Sequence, residues 1–84
     1  MIDCSHGNSN KDFRKQSEVL KNVASQVSNG EKNILGVMLE SHLKEGNQKL
    51  SRKKDLEFGR SITDACIGIE TTKELLAILY DSIN

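Results

Sequence analysis

The sequence predicts a β-α-β-α segment of a parallel α/β protein. Residues 1–4 are typical of the end of a buried strand, and the run 34–39 has no alternation and is typical of a strand buried on both faces. An amphipathic stretch between them and a capping pattern near residue 71 predict two helices. Because two parallel strands and two helices cannot enclose a core, we expect the last quarter of an eight-unit barrel or one end of an open sheet. A small domain completed by oligomerisation is the weaker alternative.

The first strand leads directly into a turn-rich segment at 5–10, and this abrupt start favours a piece of a longer chain. From 11 to 29, apolar side chains recur at spacings of three and four, which predicts an amphipathic helix. Asn29-Gly30 should end it, since glycine tolerates the left-handed conformation. The predicted buried stripe is Phe13, Val19, Leu20, Val23, Ala24 and Val27.

The run 34–39 is apolar on both faces, and Gly36 within it would permit close approach of a neighbour. With a right-handed crossover, this strand completes a βαβ unit. The segment 71–74 (TTKE) fits the capping box, with Thr71 as the N-cap of the last helix. The apolar side of that helix would be Leu75, Leu76, Ile78, Leu79 and Ile83.

The segment 40–68 is long and polar, and loops of this length are usually functional or disordered. Its basic triplet at 52–54 stands beside Asp55 and Glu57, which favours a solvated loop tip over a phosphate-binding patch. Apolar residues near its end predict that the chain returns to the protein body: Ile62, Ala65, Cys66, Ile67 and Ile69.

The composition restricts the class of protein. Lys+Arg and Asp+Glu are both 12, so the formal net charge is zero, which argues against a nucleic-acid binder. No apolar stretch is long enough for a membrane helix or a signal peptide, so we expect no membrane partner. Cys4 and Cys66 are too few for a disulfide framework, which favours a cytoplasmic, reducing compartment.

Chemically capable side chains follow both predicted strands, where parallel α/β folds collect their ligands. His6 and Glu40 would lie on adjacent strands at one rim, as a partial shell for a divalent transition metal. A hydrogen-bonded structural role is the simpler alternative for His6. Asp64 is the expected third ligand, because its segment returns to the core and a buried carboxylate needs a partner.

Two other classes of protein are compatible with these residues. A structural zinc site from Cys4, His6, His42 and Cys66 is conceivable but lacks the short paired spacings of zinc modules. We expect His42 to face solvent and both cysteines to pack in the core. Alternatively, the chain is an independent interaction module that binds an acidic partner through the 44–60 loop.

Four segments resemble the C-terminal quarter of the type I 3-deoxy-D-arabino-heptulosonate 7-phosphate synthases, in order along nearly the whole chain. Members of that family are several times longer, so the resemblance implies that Met1 is an internal methionine. Ile69 departs from the pattern, since relatives often carry Trp there. The four segments are 1–11 (MIDCSHGNSNK), 36–42 (GVMLESH), 45–48 (EGNQ) and 61–68 (SITDACIG).

The resemblance implies a TIM (β/α)8 barrel, with 1–84 as its seventh and eighth units within a single catalytic domain. It implies a cytoplasmic, homo-oligomeric transferase that condenses phosphoenolpyruvate with D-erythrose 4-phosphate, the first step of the shikimate pathway to aromatic amino acids. It also implies one divalent cation (Mn, Fe, Co or Zn) bound by a Cys, His, Glu and Asp. The matching ligands are His6, Glu40 and Asp64, with His6 and Asp64 also catalytic. The Cys ligand lies outside these residues, so we expect the isolated chain to be inactive.

Overall fold

A two-stranded parallel sheet joins the two halves of the chain in the computed structural model, which describes residues 1–10 and 12–83. Strand β1 is Ile2–Asp3 and strand β2 is Val37–Met38. Ile2 pairs with Val37 and Asp3 with Met38. The backbone N–H of Cys4 donates to the carbonyl of Met38 at 2.9 Å, so pairing continues past the end of β1. The predicted parallel pairing is confirmed, and both strands end at the same edge.

Both strands are shorter and more exposed than the sequence predicts. All four of their residues are half-buried, and Leu35 is 90% exposed. A Cβ built at Gly36 would meet nothing within 4 Å, so the expected close approach is absent from the described part of the chain. Burial on both faces is therefore wrong for these residues, because two strands and two helices cannot cover both sides of a sheet.

Helix α1 is Gln16–Ser28, preceded by a short 3-10 turn at Phe13–Lys15. The Asp12 carboxylate accepts from the backbone N–H of Arg14 at 3.0 Å and so caps this turn. Gly30 has φ of 101°, as expected where glycine ends a helix. The helix is confirmed, although the start at residue 11 lies outside the described residues. Its buried side chains are Gln16, Leu20, Val23 and Ala24.

Helix α2 is Ile69–Ser82 and begins earlier than the predicted cap at Thr71. Gly68 is the N-cap, and its carbonyl accepts from the backbone N–H of Thr72 at 3.0 Å. Thr71 as N-cap is therefore wrong, because it already lies inside the first turn. Leu75 is 2% exposed, whereas Leu76 is 55% exposed, so only part of the predicted apolar side is buried.

The segment from 40 to 68 has a 3-10 turn at Lys53–Asp55 and is otherwise irregular, as predicted. Arg52 and Lys54 are exposed, as expected at a loop tip. The return to the protein body is confirmed for Cys66 and Ile67, which are buried, but is wrong for Ile62 and Ile69, which are 47% and 37% exposed. Isolated bridges join the segment's two halves: Ser41 to Ile67, Gly46 to Cys66 and Asn47 to Ser61.

The core lies where α1, α2 and the edge of the sheet meet. Its buried apolar members are Cys4, Leu20, Ile67 and Leu75, one from each part of the fold. Phe13 and other half-buried side chains pack around them. Neither helix in the described residues has the length and apolarity that crossing a membrane requires.

Replacing Leu20 by Ala should lower the free energy of unfolding by about 2–5 kcal/mol, because Leu20 is fully buried and its loss leaves a cavity. Leu76→Ala is the matched control, since Leu76 lies on the exposed side of α2, and it should change stability by about 0.5 kcal/mol or less. Urea denaturation followed by circular dichroism measures both. Equal losses for the two variants would contradict the assignment of the core.

Candidate metal centre

The side chains of His6, Glu40 and Asp64 meet beyond the carboxyl ends of the two strands. His6 Nε2 lies 2.7 Å from Glu40 Oε1 and 3.9 Å from Asp64 Oδ2. One potential ligand atom from each residue lies within 4.8 Å of the other two. Residues far apart in sequence are thus brought together as predicted. Their role as metal ligands stays a prediction.

Backbone pairing delivers the three side chains to one place. His6 and Glu40 each follow a strand of the parallel pair, so both emerge at the same edge. The backbone N–H of Ile67 donates to the carbonyl of Glu40 at 3.0 Å, and that of His42 donates to the carbonyl of Ile67 at 3.0 Å. These two bonds attach the segment that carries Asp64 to the chain leaving β2.

Asp3, a residue that the sequence pattern does not single out, orients the imidazole of His6. Its Oδ2 lies 2.7 Å from His6 Nδ1, while its Oδ1 accepts from the Ser5 hydroxyl and backbone N–H at 2.6 and 2.8 Å. These bonds, the Ser5 hydroxyl foremost, hold the pKa of Asp3 well below its usual range. The ionised carboxylate favours a proton on Nδ1, which leaves Nε2 for the cluster. The available signal was a carboxylate three residues before a histidine at a strand end.

The same contacts favour the protonated imidazole while no cation is bound. The hydrogen bond that His6 Nδ1–H donates to Asp3, followed by the charges of Asp3, Glu40 and Asp64, raises the pKa of His6 above its ordinary 6.5. His6 therefore stabilises the cation-free fold fully below pH 6.5 and loses that contribution as the pH rises through the raised pKa. A cation at Nε2 must displace this proton, so cation binding should weaken as the pH falls.

The chemistry and spacing of the cluster fit a divalent metal ion. Ligand atoms on one cation, at bonds of about 2.0–2.2 Å, lie roughly 3 to 4 Å apart, which the separations of 2.7 and 3.9 Å nearly match. One imidazole nitrogen with carboxylate oxygens suits manganese, iron, cobalt or zinc. The cluster opens into a cavity of about 330 Å³ lined by Ser5, His6, Glu40, Asp64 and Ala65.

The two carboxylates of the cluster differ in their exposure to solvent. The Glu40 side chain is 20% exposed, whereas the Asp64 side chain is 74% exposed. The expectation that Asp64 is a buried carboxylate is wrong, because the chain returns to the core only at Cys66 and Ile67. Asp64 thus forms the open side of the cavity, where a bound molecule could reach it.

The remaining candidate ligands lie outside this cluster. His42 is exposed, as predicted, and its Nδ1 accepts from the backbone N–H of Leu43 at 2.8 Å. Cys4 and Cys66 are buried and free, as expected of core residues, and burial raises the pKa of both thiols. Across residues 1–10 and 12–83, His6, Glu40 and Asp64 are the one group of three or more possible ligands. A structural zinc site with the cysteines is therefore not favoured.

A parallel βαβ unit with polar side chains gathered at its carboxyl edge is the arrangement of an α/β enzyme. The chain belongs to the DAHP synthetase I family, whose model matches residues 1–77, and the resemblance to the type I synthases is thereby confirmed. It is 54% identical over 83 residues to the Phe-sensitive phospho-2-dehydro-3-deoxyheptonate aldolase of Escherichia coli, covering 99% of this chain and 24% of that protein.

A relative from yeast and a solved structure also match nearly the whole chain. The phenylalanine-inhibited phospho-2-dehydro-3-deoxyheptonate aldolase of Saccharomyces cerevisiae is 46% identical over 86 residues, across 99% of this chain and 23% of that one. The structure of the aldolase from Francisella tularensis matches with a TM-score of 0.92 at 46% identity, covering 99% of this chain and 24% of that one. The chain thus spans about a quarter of the length of these relatives.

Replacing Asp3 by Asn should lower the pKa of His6 towards 6.5 in the cation-free protein, because the amide removes the charge and weakens the bond at Nδ1. The pH dependence of the His6 ring signals in NMR measures this change. Asp55→Asn, on the exposed loop outside the cluster, is the control and should leave the titration of His6 unaltered. The assignment fails if His6 titrates identically with Asp or Asn at position 3.

Proposed function

We propose that the chain forms part of the active site of an enzyme that condenses phosphoenolpyruvate with D-erythrose 4-phosphate to 3-deoxy-D-arabino-heptulosonate 7-phosphate. The convergence of His6, Glu40 and Asp64 within 4.8 Å carries the proposal. Membership of the DAHP synthetase I family supports the reaction and its place in aromatic amino acid biosynthesis. Because the chain spans 24% of the relative's length, we expect a cysteine ligand and most phosphate-binding groups to come from other parts of the enzyme.

The proposal places residues 1–84 in a single (β/α)8 barrel as its seventh and eighth units. The β-α-β-α order and the TM-score of 0.92 against a related aldolase support this placement. The position of the cluster supports it too, since barrel enzymes build their active sites at the carboxyl ends of the strands. In such a barrel, neighbouring units would cover the strand faces that these residues leave open.

In this site, His6, Glu40 and Asp64 would hold one divalent cation. Asp3 fixes the imidazole so that Nε2 faces Glu40 and Asp64, and its lone pair would become available to the cation once the Nε2 proton is displaced. Glu40 contributes a largely buried negative charge beside it. When bound, the cation supplies a Lewis acid that polarises the aldehyde oxygen of erythrose 4-phosphate for attack by C3 of phosphoenolpyruvate.

Asp64 has the exposure expected of a residue that also touches substrate. Its side chain is 74% exposed and its Oδ2 lies 3.9 Å from His6 Nε2. The carboxylate is therefore close to the other two ligands and also open to the cavity. We assign it a second role, in which a carboxylate oxygen accepts a hydrogen bond from a substrate hydroxyl or relays a proton. His6 is also assigned a catalytic role, because its Nε2 would bind the cation that activates the aldehyde.

The alternative of an interaction module based on the 44–60 loop is less well supported. Lys44 Nζ lies 2.6 Å from Glu57, and Arg60 lies 3.1 Å from the same carboxylate. The Gln48 side chain bonds the backbone of Glu57 and Arg60. These four residues therefore bind one another, and of the basic side chains of the segment chiefly those at the loop tip, such as Arg52 and Lys54, stay exposed for a partner.

The proposal is tested in a complete enzyme, the Escherichia coli relative with its aligned quarter replaced by these 84 residues. Glu40→Gln keeps the shape of the side chain but removes its charge, so metal content and turnover should fall by at least about 100-fold. Metal analysis and phosphate release measure the effect. Glu45→Gln, at an exposed position outside the cluster, should change neither.

Near-parental turnover and metal content with Gln at position 40 would contradict the proposed role of Glu40. The isolated 84-residue chain, assayed in parallel, should release no phosphate from phosphoenolpyruvate. Turnover by the isolated chain would contradict the expectation that further groups complete the site.

A further inference from the structure

Gln16 is a polar residue in a position where the helical pattern calls for an apolar one. It lies at the first residue of α1 and is 0% exposed, on the same stripe as Leu20 and Val23. Burial of an amide is costly unless both its donor and its acceptor find partners. A partner of matching chemistry must therefore lie beside it.

That partner is the backbone of Glu40. The backbone N–H of Glu40 donates to Gln16 Oε1 at 3.0 Å, and Gln16 Nε2 donates to the carbonyl of Glu40 at 3.1 Å. A side-chain amide here makes the paired donor and acceptor bonds that a neighbouring strand would otherwise make. Since β2 ends at Met38, these bonds continue the ordering of the backbone beyond the strand.

The carbonyl of Glu40 also accepts from the backbone N–H of Ile67 at 3.0 Å. With its N–H bonded once and its carbonyl bonded twice, the backbone of Glu40 is restrained, and the remaining freedom lies in its side-chain torsions. Its Oε1 then lies 2.7 Å from His6 Nε2. Gln16 does not itself line the cavity, and both of these hydrogen bonds join it to the backbone of Glu40.

We propose that Gln16 is a positioning residue for the metal centre, acting through the backbone of Glu40 to aim its carboxylate. This inference rests on the proposed function and adds to it a residue from α1, which otherwise contributes only apolar packing. An apolar side chain could attach the helix to the sheet without burying an amide, but it would leave the backbone N–H of Glu40 without this acceptor. Both hydrogen bonds of the Gln16 amide go to one residue, Glu40, and that residue is a candidate metal ligand. A side chain that positions a ligand is expected to make such bonds.

The test uses the complete chimeric enzyme and Co²⁺ as the probe. Gln16→Met keeps an unbranched side chain of similar length and removes both hydrogen bonds. The Kd for Co²⁺ should rise by about 10- to 100-fold, and the visible absorption of the saturated Co²⁺ enzyme should change because Glu40 is displaced. Gln26→Met is the matched control on the exposed face of the same helix and should alter neither measurement.

A second variant keeps the proposal testable if Gln16→Met does not fold, as judged by circular dichroism. Gln16→Leu also removes both hydrogen bonds and keeps a side chain that favours a helix, so its Kd for Co²⁺ should rise as for the Met variant. A changed spectrum at saturation with either folded variant supports the proposal. A lowered melting temperature with an unchanged Kd and spectrum shows a purely structural role and overturns it.

The same measurements separate this inference from the proposed function. If the unsubstituted chimera binds no Co²⁺, the metal centre itself is wrong and the role of Gln16 fails with it. If the unsubstituted chimera binds Co²⁺ and the folded Gln16 variants bind it equally well, the metal centre stands and only the positioning role is overturned.

Discussion

The parallel register of two very short strands is the constraint on which the candidate site depends. Pairing of Ile2 with Val37 brings the residues that follow each strand to one edge, and so places His6 beside Glu40. A shift of one residue in either strand would turn its side chains to the opposite face. The core beneath α1 and α2 therefore matters to the site chiefly because it fixes this register.

Each member of the cluster is held differently, and the differences follow from its backbone. His6 is oriented by Asp3, three residues earlier, through a local turn. Glu40 is fixed through its backbone by the amide of Gln16 and by Ile67. Within residues 1–10 and 12–83, Asp64 has no comparable restraint, and its side chain is the most exposed of the three. Rigid ligands with one freer carboxylate suit a centre that must hold a cation and also meet substrate.

Protons and metal ions would compete for Nε2 of His6, because the same negative charges attract both. Asp3, Glu40 and Asp64 surround one imidazole, and together they raise its pKa. While no cation is bound, protonation of the imidazole, which these carboxylates favour, offsets part of their negative charge. A divalent cation would offset more of it at the same place, so the arrangement that stabilises imidazolium at low pH also favours metal binding once that proton is lost.

The sequence by itself determined the order of the elements and the three candidate ligands, because strand ends, helical periodicity and chemical type are local properties. It did not determine the exposure of Leu35 and Asp64, since burial depends on what packs nearby. It also did not determine the start of α2 at Ile69. The role of Gln16 was equally hidden. Its partner lies 24 residues away, and only folding brings a buried amide against the backbone of Glu40.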